Sequence, residues 1–186
     1  MVRFISSRSP IRLIGVALSV SSLLACSTLY SQDGPEALAV IAPTSVAPAA
    51  SMNPQGTIKF IQRGNSVIVS GRISGLRPGG EHGFHVHEGA DCAGDGLGTK
   101  GHFNPENAPH GRHGGPAHHG GDLPSLKADA NGVAEFSFSV SKLTVTPGPA
   151  SIVGRGLIVH RDPDDYTTQP TGNAGPRPGC AVIRGV

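Results

Sequence analysis

The sequence predicts an all-β fold, on three observations. Gly64-Asn65 sits between residues 58–62 and 66–73, a short turn joining two runs of strand character. After the turn Asp129-Ala130-Asn131-Gly132, the residues Ala134, Phe136, Phe138 and Val140 alternate with Glu135, Ser137 and Ser139. That period of two marks a strand with one face buried. No stretch carries a convincing helical stripe. The chain has no Trp and six Phe, so the core must rest on Val, Ile, Leu and those Phe.

The elements follow in chain order. Arg3, Arg8 and Arg12 open the sequence, and residues 13–25 form an apolar run. The run is about as long as the core of a signal peptide and shorter than the roughly 20 residues of a spanning helix. It ends at Leu23-Leu24-Ala25-Cys26, which resembles a bacterial lipobox with Cys26 as the lipidated residue. Residues 1–26 are therefore expected to be the export signal. Residues 27–55 are rich in Ala, Pro and Ser and read as a flexible tether. The folded domain is expected over residues 56–186.

Within that domain Val67, Val69 and Ile73 share one face of the second run. Residues 156–160 and 180–183 are further apolar runs that suit strands. Two long Gly/Pro-rich polar segments, 88–121 and 161–179, each begin beside a histidine-bearing strand. Loops of that length are usually functional. Charged residues make up 15% of the chain and the net charge is +2, too weak a bias to argue for a nucleic-acid partner. With Cys26 lipidated, Cys92 and Cys180 remain. An oxidising compartment favours a disulfide between them over two buried thiols.

All nine histidines lie between His82 and His160. In Gly83-Phe84-His85-Val86-His87, residues two apart face the same side of a strand, so His85 and His87 present two imidazoles together. His102, His110, His113, His118, His119 and Asp122 follow, and His160 ends the run Leu157-Ile158-Val159-His160. Imidazole suits copper and zinc, and a carboxylate is a common fourth zinc ligand. Two four-coordinate sites need eight ligand positions. Six histidines and an aspartate supply them if one imidazole bridges.

Taken together, Gly83-Phe84-His85-Val86-His87, Gly101-His102-Phe103-Asn104-Pro105, His113-Gly114-Gly115-Pro116, His119-Gly120-Gly121-Asp122-Leu123, Val159-His160, Gly172-Asn173-Ala174-Gly175 and Arg177 with Cys180 resemble the ordered motifs of copper–zinc superoxide dismutases. The likeness spans about residues 56–186. It implies a Greek-key β-sandwich or barrel, immunoglobulin-like, of about eight strands with two long functional loops. It also implies one copper and one zinc ion per subunit. The copper ligands would be His85, His87, His102 and His160. The zinc ligands would be His102, His113, His119 and Asp122, with His102 as the bridge. Asp164 would link a copper-side and a zinc-side histidine, Arg177 would stand beside the copper, and Cys92 and Cys180 would be the family's disulfide. Read without the resemblance, Asp164 is a turn residue and Arg177 a solvated loop side chain. His82 looks structural, and His110 and His118 are expected in solvent. The sequence departs from the family pattern in a long segment between His87 and His102 and in Ala181 after Cys180.

The activity so implied is dismutation of superoxide, with His102 and Arg177 as catalytic residues and the cell envelope as the protected structure. The alternative is a metal-buffering lipoprotein of the same fold. The expected partners are superoxide and, through the Cys26 lipid, the periplasmic side of a membrane. Ser27 after the Cys favours the outer one. Monomer and homodimer both stay open.

Overall fold

The computed structural model describes Met1 and residues 34–186. The apolar run, Cys26 and the first part of the expected tether lie outside the described residues. The described residues form ten strands in order: β1 Glu36–Pro43, β2 Gln55–Arg63, β3 Ser66–Ser74, β4 Glu81–His82, β5 Phe84–His87, β6 Leu126–Lys127, β7 Ala134–Val140, β8 Gly156–Val159, β9 Gly179–Val182 and β10 Arg184–Gly185. The helical content of the described residues is one 3-10 turn, Leu97–Thr99.

Eight strands form one curled sheet, ordered β5-β8-β9-β1-β2-β3-β7, with β10 paired to β1. β4 and β6 form a separate ribbon. β1 serves both leaves. Glu36 to Ile41 pair with β2, and Ala42 and Pro43 pair with β9. The β3–β7 and β5–β8 pairings join strands distant in sequence, the long connections of the expected Greek key. Side chains from both leaves fill the space between them: Ile58 and Phe60, Val67 and Val69, Phe84 and Val86, Leu157 and Val159.

The hairpin falls where the sequence puts it, with Arg63 opposite Ser66. β7 keeps its alternation: Glu135, Ser137 and Ser139 are exposed, and the residues between them are buried or half-buried. The tether expectation needs correction. Part of residues 27–55 is β1, and the sheet begins at Glu36 rather than near Gly56. The inward face of β1 is Ala37, Ala39 and Ile41, all essentially buried. Two of the three are alanines, so the composition of a linker concealed a strand of period two. The turn after it is also packed, with Thr44, Ala47, Ala50 and Met52 buried.

Cys92 and Cys180 form a disulfide that ties the first long loop to β9. Closing 88 residues in this way stabilises the fold by ~4–5 kcal/mol on a chain-entropy account.

Candidate metal centre

β5 positions the site. Phe84 and Val86 point into the core, where Phe84 meets the edge of Phe136 with ring centroids 5.4 Å apart. His85 and His87 therefore turn together to the opposite side. On one edge β5 pairs with β8. On the other it is stitched to the first long loop, with His85 opposite Asp122 and His87 opposite His102. Three backbone bonds close this stitch: Phe103 N–H to Val86 O (2.8 Å), Val86 N–H to Gly121 O (2.9 Å) and Gly121 N–H to Phe103 O (2.8 Å). Gly121 is required there, because a Cβ would collide with Val86 O and Phe103.

His85, His87, His102 and His160 converge, all buried, with one ring nitrogen of each within 4.8 Å of the others. The remaining nitrogens are committed. His85 Nε2 lies 2.8 Å from Asp164 Oδ2, His87 Nδ1 2.8 Å from Lys100 O, His102 Nδ1 2.8 Å from Asp122 Oδ1, and His160 Nδ1 3.0 Å from Gly175 O. His85 Nδ1, His87 Nε2, His102 Nε2 and His160 Nε2 are left buried with no hydrogen-bond partner. Four orphaned imidazole nitrogens facing one point are costly unless an ion takes them. Burial lowers the pKa of all four rings. It is aided at His102, which falls to about 4, by the neighbouring His85. Neutral imidazole is the ligating form, and an all-nitrogen set suits copper.

The second group is His102, His110, His119 and Asp122. His110 Nδ1 lies 3.0 Å and His119 Nδ1 3.2 Å from the Asp122 carboxylate, yet neither nitrogen is aligned for a hydrogen bond. Three nitrogens and a carboxylate oxygen aimed at one point form the closed set of a structural zinc site. Asp122 Oδ2 also accepts from Gly111 N–H (3.1 Å) and His119 N–H (2.8 Å). Burial would raise its pKa, but the hydrogen bond with His102 and the close approach of His110 and His119 prevail and hold it far below the usual carboxylate range.

The histidine expected from His113-Gly114-Gly115-Pro116 is therefore corrected to His110. The His113 ring turns outward, with Nδ1 3.1 Å from Asp122 O and Nε2 3.2 Å from Ser139 O on β7. Its ring rests beside His118, which is expected in solvent but is buried, its Nδ1 donating to His119 O. His110, expected in solvent, is buried because Gln169 from the second loop grips its backbone twice. Gln169 Oε1 accepts from His110 N–H, and Gln169 Nε2 donates to His110 O, both at 2.9 Å. The sequence offered one cue: two histidines three residues apart, each followed by Gly. His82 is structural as expected, with Nδ1 3.0 Å from His160 O and Arg161 O.

Asp164 lies between the groups. One oxygen meets His85 Nε2 at 2.8 Å and the other His110 Nε2 at 2.9 Å. Such a carboxylate fixes ring orientation and raises ligand basicity. Burial opposes its charge, yet the bonds from His110 and His85 lower its pKa well below the usual value. Gly172 makes this bridge sterically possible. Its φ is 65°, and a Cβ would run into Asp164 Oδ1 and His110 Nε2. Gly172→Ala is expected to cost at least ~2 kcal/mol in urea unfolding and to release zinc more readily.

Burial opposes protonation of His110, but Asp122 and Asp164 raise its pKa to about 9. Without zinc, the imidazolium–carboxylate attraction is fully present below the unfolded value near 6.5 and is lost as pH rises through about 9. Zinc must displace that proton. Its apparent affinity should rise about tenfold per pH unit up to about 9, with close to one proton released. Calorimetry in buffers of different ionisation enthalpy measures this, and zinc uptake without proton release would contradict it.

Arg177 is half-buried. Its Nη1 donates to Gly96 O (3.1 Å) and Thr99 Oγ1 (2.9 Å). Burial lowers its pKa somewhat, and its charge is near enough to help depress His87 and His160.

Comparison with known proteins agrees with this geometry. The family model for copper/zinc superoxide dismutase matches residues 54–183. A superoxide dismutase [Cu-Zn] of Paramecium bursaria Chlorella virus 1 is 42% identical over 135 residues, 69% of this chain and 72% of the relative. Superoxide dismutase [Cu-Zn] 3 of Arabidopsis thaliana is 40% identical over 142 residues, 73% and 85% of the two chains. The crystal structure of the clock protein EA4 superposes with a TM-score of 0.70 at 37% identity, covering 80% of this chain and 93% of that one.

Proposed function

The chain belongs to the copper/zinc superoxide dismutase family, and on that premise we propose that it converts two superoxide ions and two protons to dioxygen and hydrogen peroxide. The observation that carries this reading is the pair of buried donor groups sharing His102. His85, His87, His102 and His160 would hold copper, and His102, His110, His119 and Asp122 would hold zinc. The copper supplies a one-electron redox couple, and the zinc a fixed positive charge and a structural tie.

The protein's own groups do the rest. Nδ1 of His102 faces the Asp122 group, where zinc would take it, so Nε2 is the atom at which His102 can hold a proton between the two half-reactions. Asp164 keeps His85 and His110 in orientation. Arg177 attracts the small anion. With a net charge of +2 over the whole chain, that steering depends on where Arg177 sits. Purified full-length protein loaded with both metals should dismutate superoxide at a rate near the diffusion limit. Stable binding of both metals without activity would favour the metal-buffer alternative.

The basic start, the apolar run and Cys26 support export and lipid anchoring on the periplasmic side of a bacterial membrane, the outer one favoured by Ser27. There the enzyme would protect the envelope from external superoxide. The Cys92–Cys180 disulfide is consistent with an oxidising compartment. Labelled palmitate should enter the native chain but not Cys26→Ser, and equal labelling of the two would rule out Cys26 as the anchor.

A further inference from the structure

The turn between β1 and β2 reaches both loops that flank Arg177. Thr44 N–H donates to Pro178 O at 3.0 Å, and Thr44 Oγ1 donates to the carbonyl of Arg177 itself at 2.7 Å. Ser45 N–H donates to Gly94 O at 2.8 Å, in the loop that carries Cys92. The Thr44 methyl faces Gly96 in the same loop. Thr44 is 9% exposed, so its hydroxyl bond is largely withdrawn from water.

The far end of Arg177 is held separately. Its Nη1 donates to Gly96 O and Thr99 Oγ1, and the Thr99 hydroxyl in turn donates to Gly96 O at 2.7 Å. The backbone of Arg177 is thus fixed by the β1–β2 turn and its guanidinium by the Cys92 loop. Thr44-Ser45 joins the two anchorages. A long, flexible side chain takes one position only when both of its ends are restrained.

We propose that Thr44 is a positioning residue for Arg177, its hydroxyl setting where the guanidinium stands beside His87 and His160. The proposal rests on the reading of Arg177 as the group that attracts the anion. The disulfide three residues beyond Arg177 still ties the same loops when the hydroxyl is lost, so the expected defect is one of placement rather than of folding.

The test uses the full-length protein loaded with copper and zinc. Azide, a small anion, is titrated by the change in the visible copper band, alongside the dismutation rate and the thermal midpoint. Thr44→Val keeps the shape of the side chain and removes the hydroxyl. It should weaken azide about fivefold, the equivalent of one net hydrogen bond. Thr44→Ala, with no added bulk, should do the same, and Thr44→Ser should restore native affinity. Metal content should be unchanged in all three. If Arg177→Ala weakens azide while Thr44→Val and Thr44→Ala bind it as the native protein does, the proposal is overturned whatever the midpoint does. If Arg177→Ala itself leaves azide affinity intact, the reading of Arg177 falls and the proposal falls with it.

Discussion

His160→Ala should lower superoxide dismutation by ~10²-fold or more, a larger loss than removing a partner that merely orients a ligand. His160 is a clean probe of the first donor group because it belongs to that group alone and, unlike His85, does not share Asp164 with the second. It follows the last residue of β8, and its Nδ1 is occupied by Gly175 O, leaving Nε2 buried and unpartnered. His102 would be a poorer choice, since it belongs to both groups and its loss would strip both metals. The variant should therefore retain zinc while losing copper on dialysis, with a small change in thermal midpoint. Rate and metal content measured on the same sample check this. Full activity with stoichiometric copper would remove His160 from the site.

The second large effect separates two histidines three residues apart. His110→Ala should lose zinc, whereas His113→Ala should keep it. His110 contributes a nitrogen to the second group and also satisfies Asp164, so its removal leaves two buried carboxylates short of a partner. A bound ion stabilises the state that binds it, and losing roughly 4 kcal/mol of that linkage lowers the midpoint by about 10 °C in a domain of this size. His113 is bonded to carbonyls of the loop and of β7, and its replacement should shift the midpoint by only about 1–3 °C. Metal analysis and calorimetry of the two variants decide the matter. Zinc retained by His110→Ala and lost from His113→Ala would reverse the assignment.

Much of this centre was legible before any fold was known. The H-x-H pair on β5 could be read because side-chain direction in a strand is a local property with a period of two. The same rule gave β7, and the Gly64-Asn65 turn gave the β2–β3 hairpin. The need for a bridging imidazole followed from counting donors. Pairing Cys92 with Cys180 followed from counting cysteines, whereas assigning His102 to that role and the parts given to Asp164 and Arg177 drew on the family's motifs. Composition misled at β1, because Ala37 and Ala39 are small enough to look like linker and small enough to pack beneath a sheet.

The sequence by itself determined that the domain is β, that one strand presents two imidazoles on the same face, and that the donors suffice for two ions. It did so because periodicity and ligand chemistry are properties of neighbouring residues. The tertiary structure decided which loop histidine joins Asp122. It also showed that Asp164 reaches both groups and that the β1–β2 turn touches Arg177. Those outcomes depend on contacts between residues 54 to 133 positions apart, made through Gln169, Gly172 and the backbone of the second loop. No local pattern encodes such contacts, because a loop's conformation is set by the partners it meets.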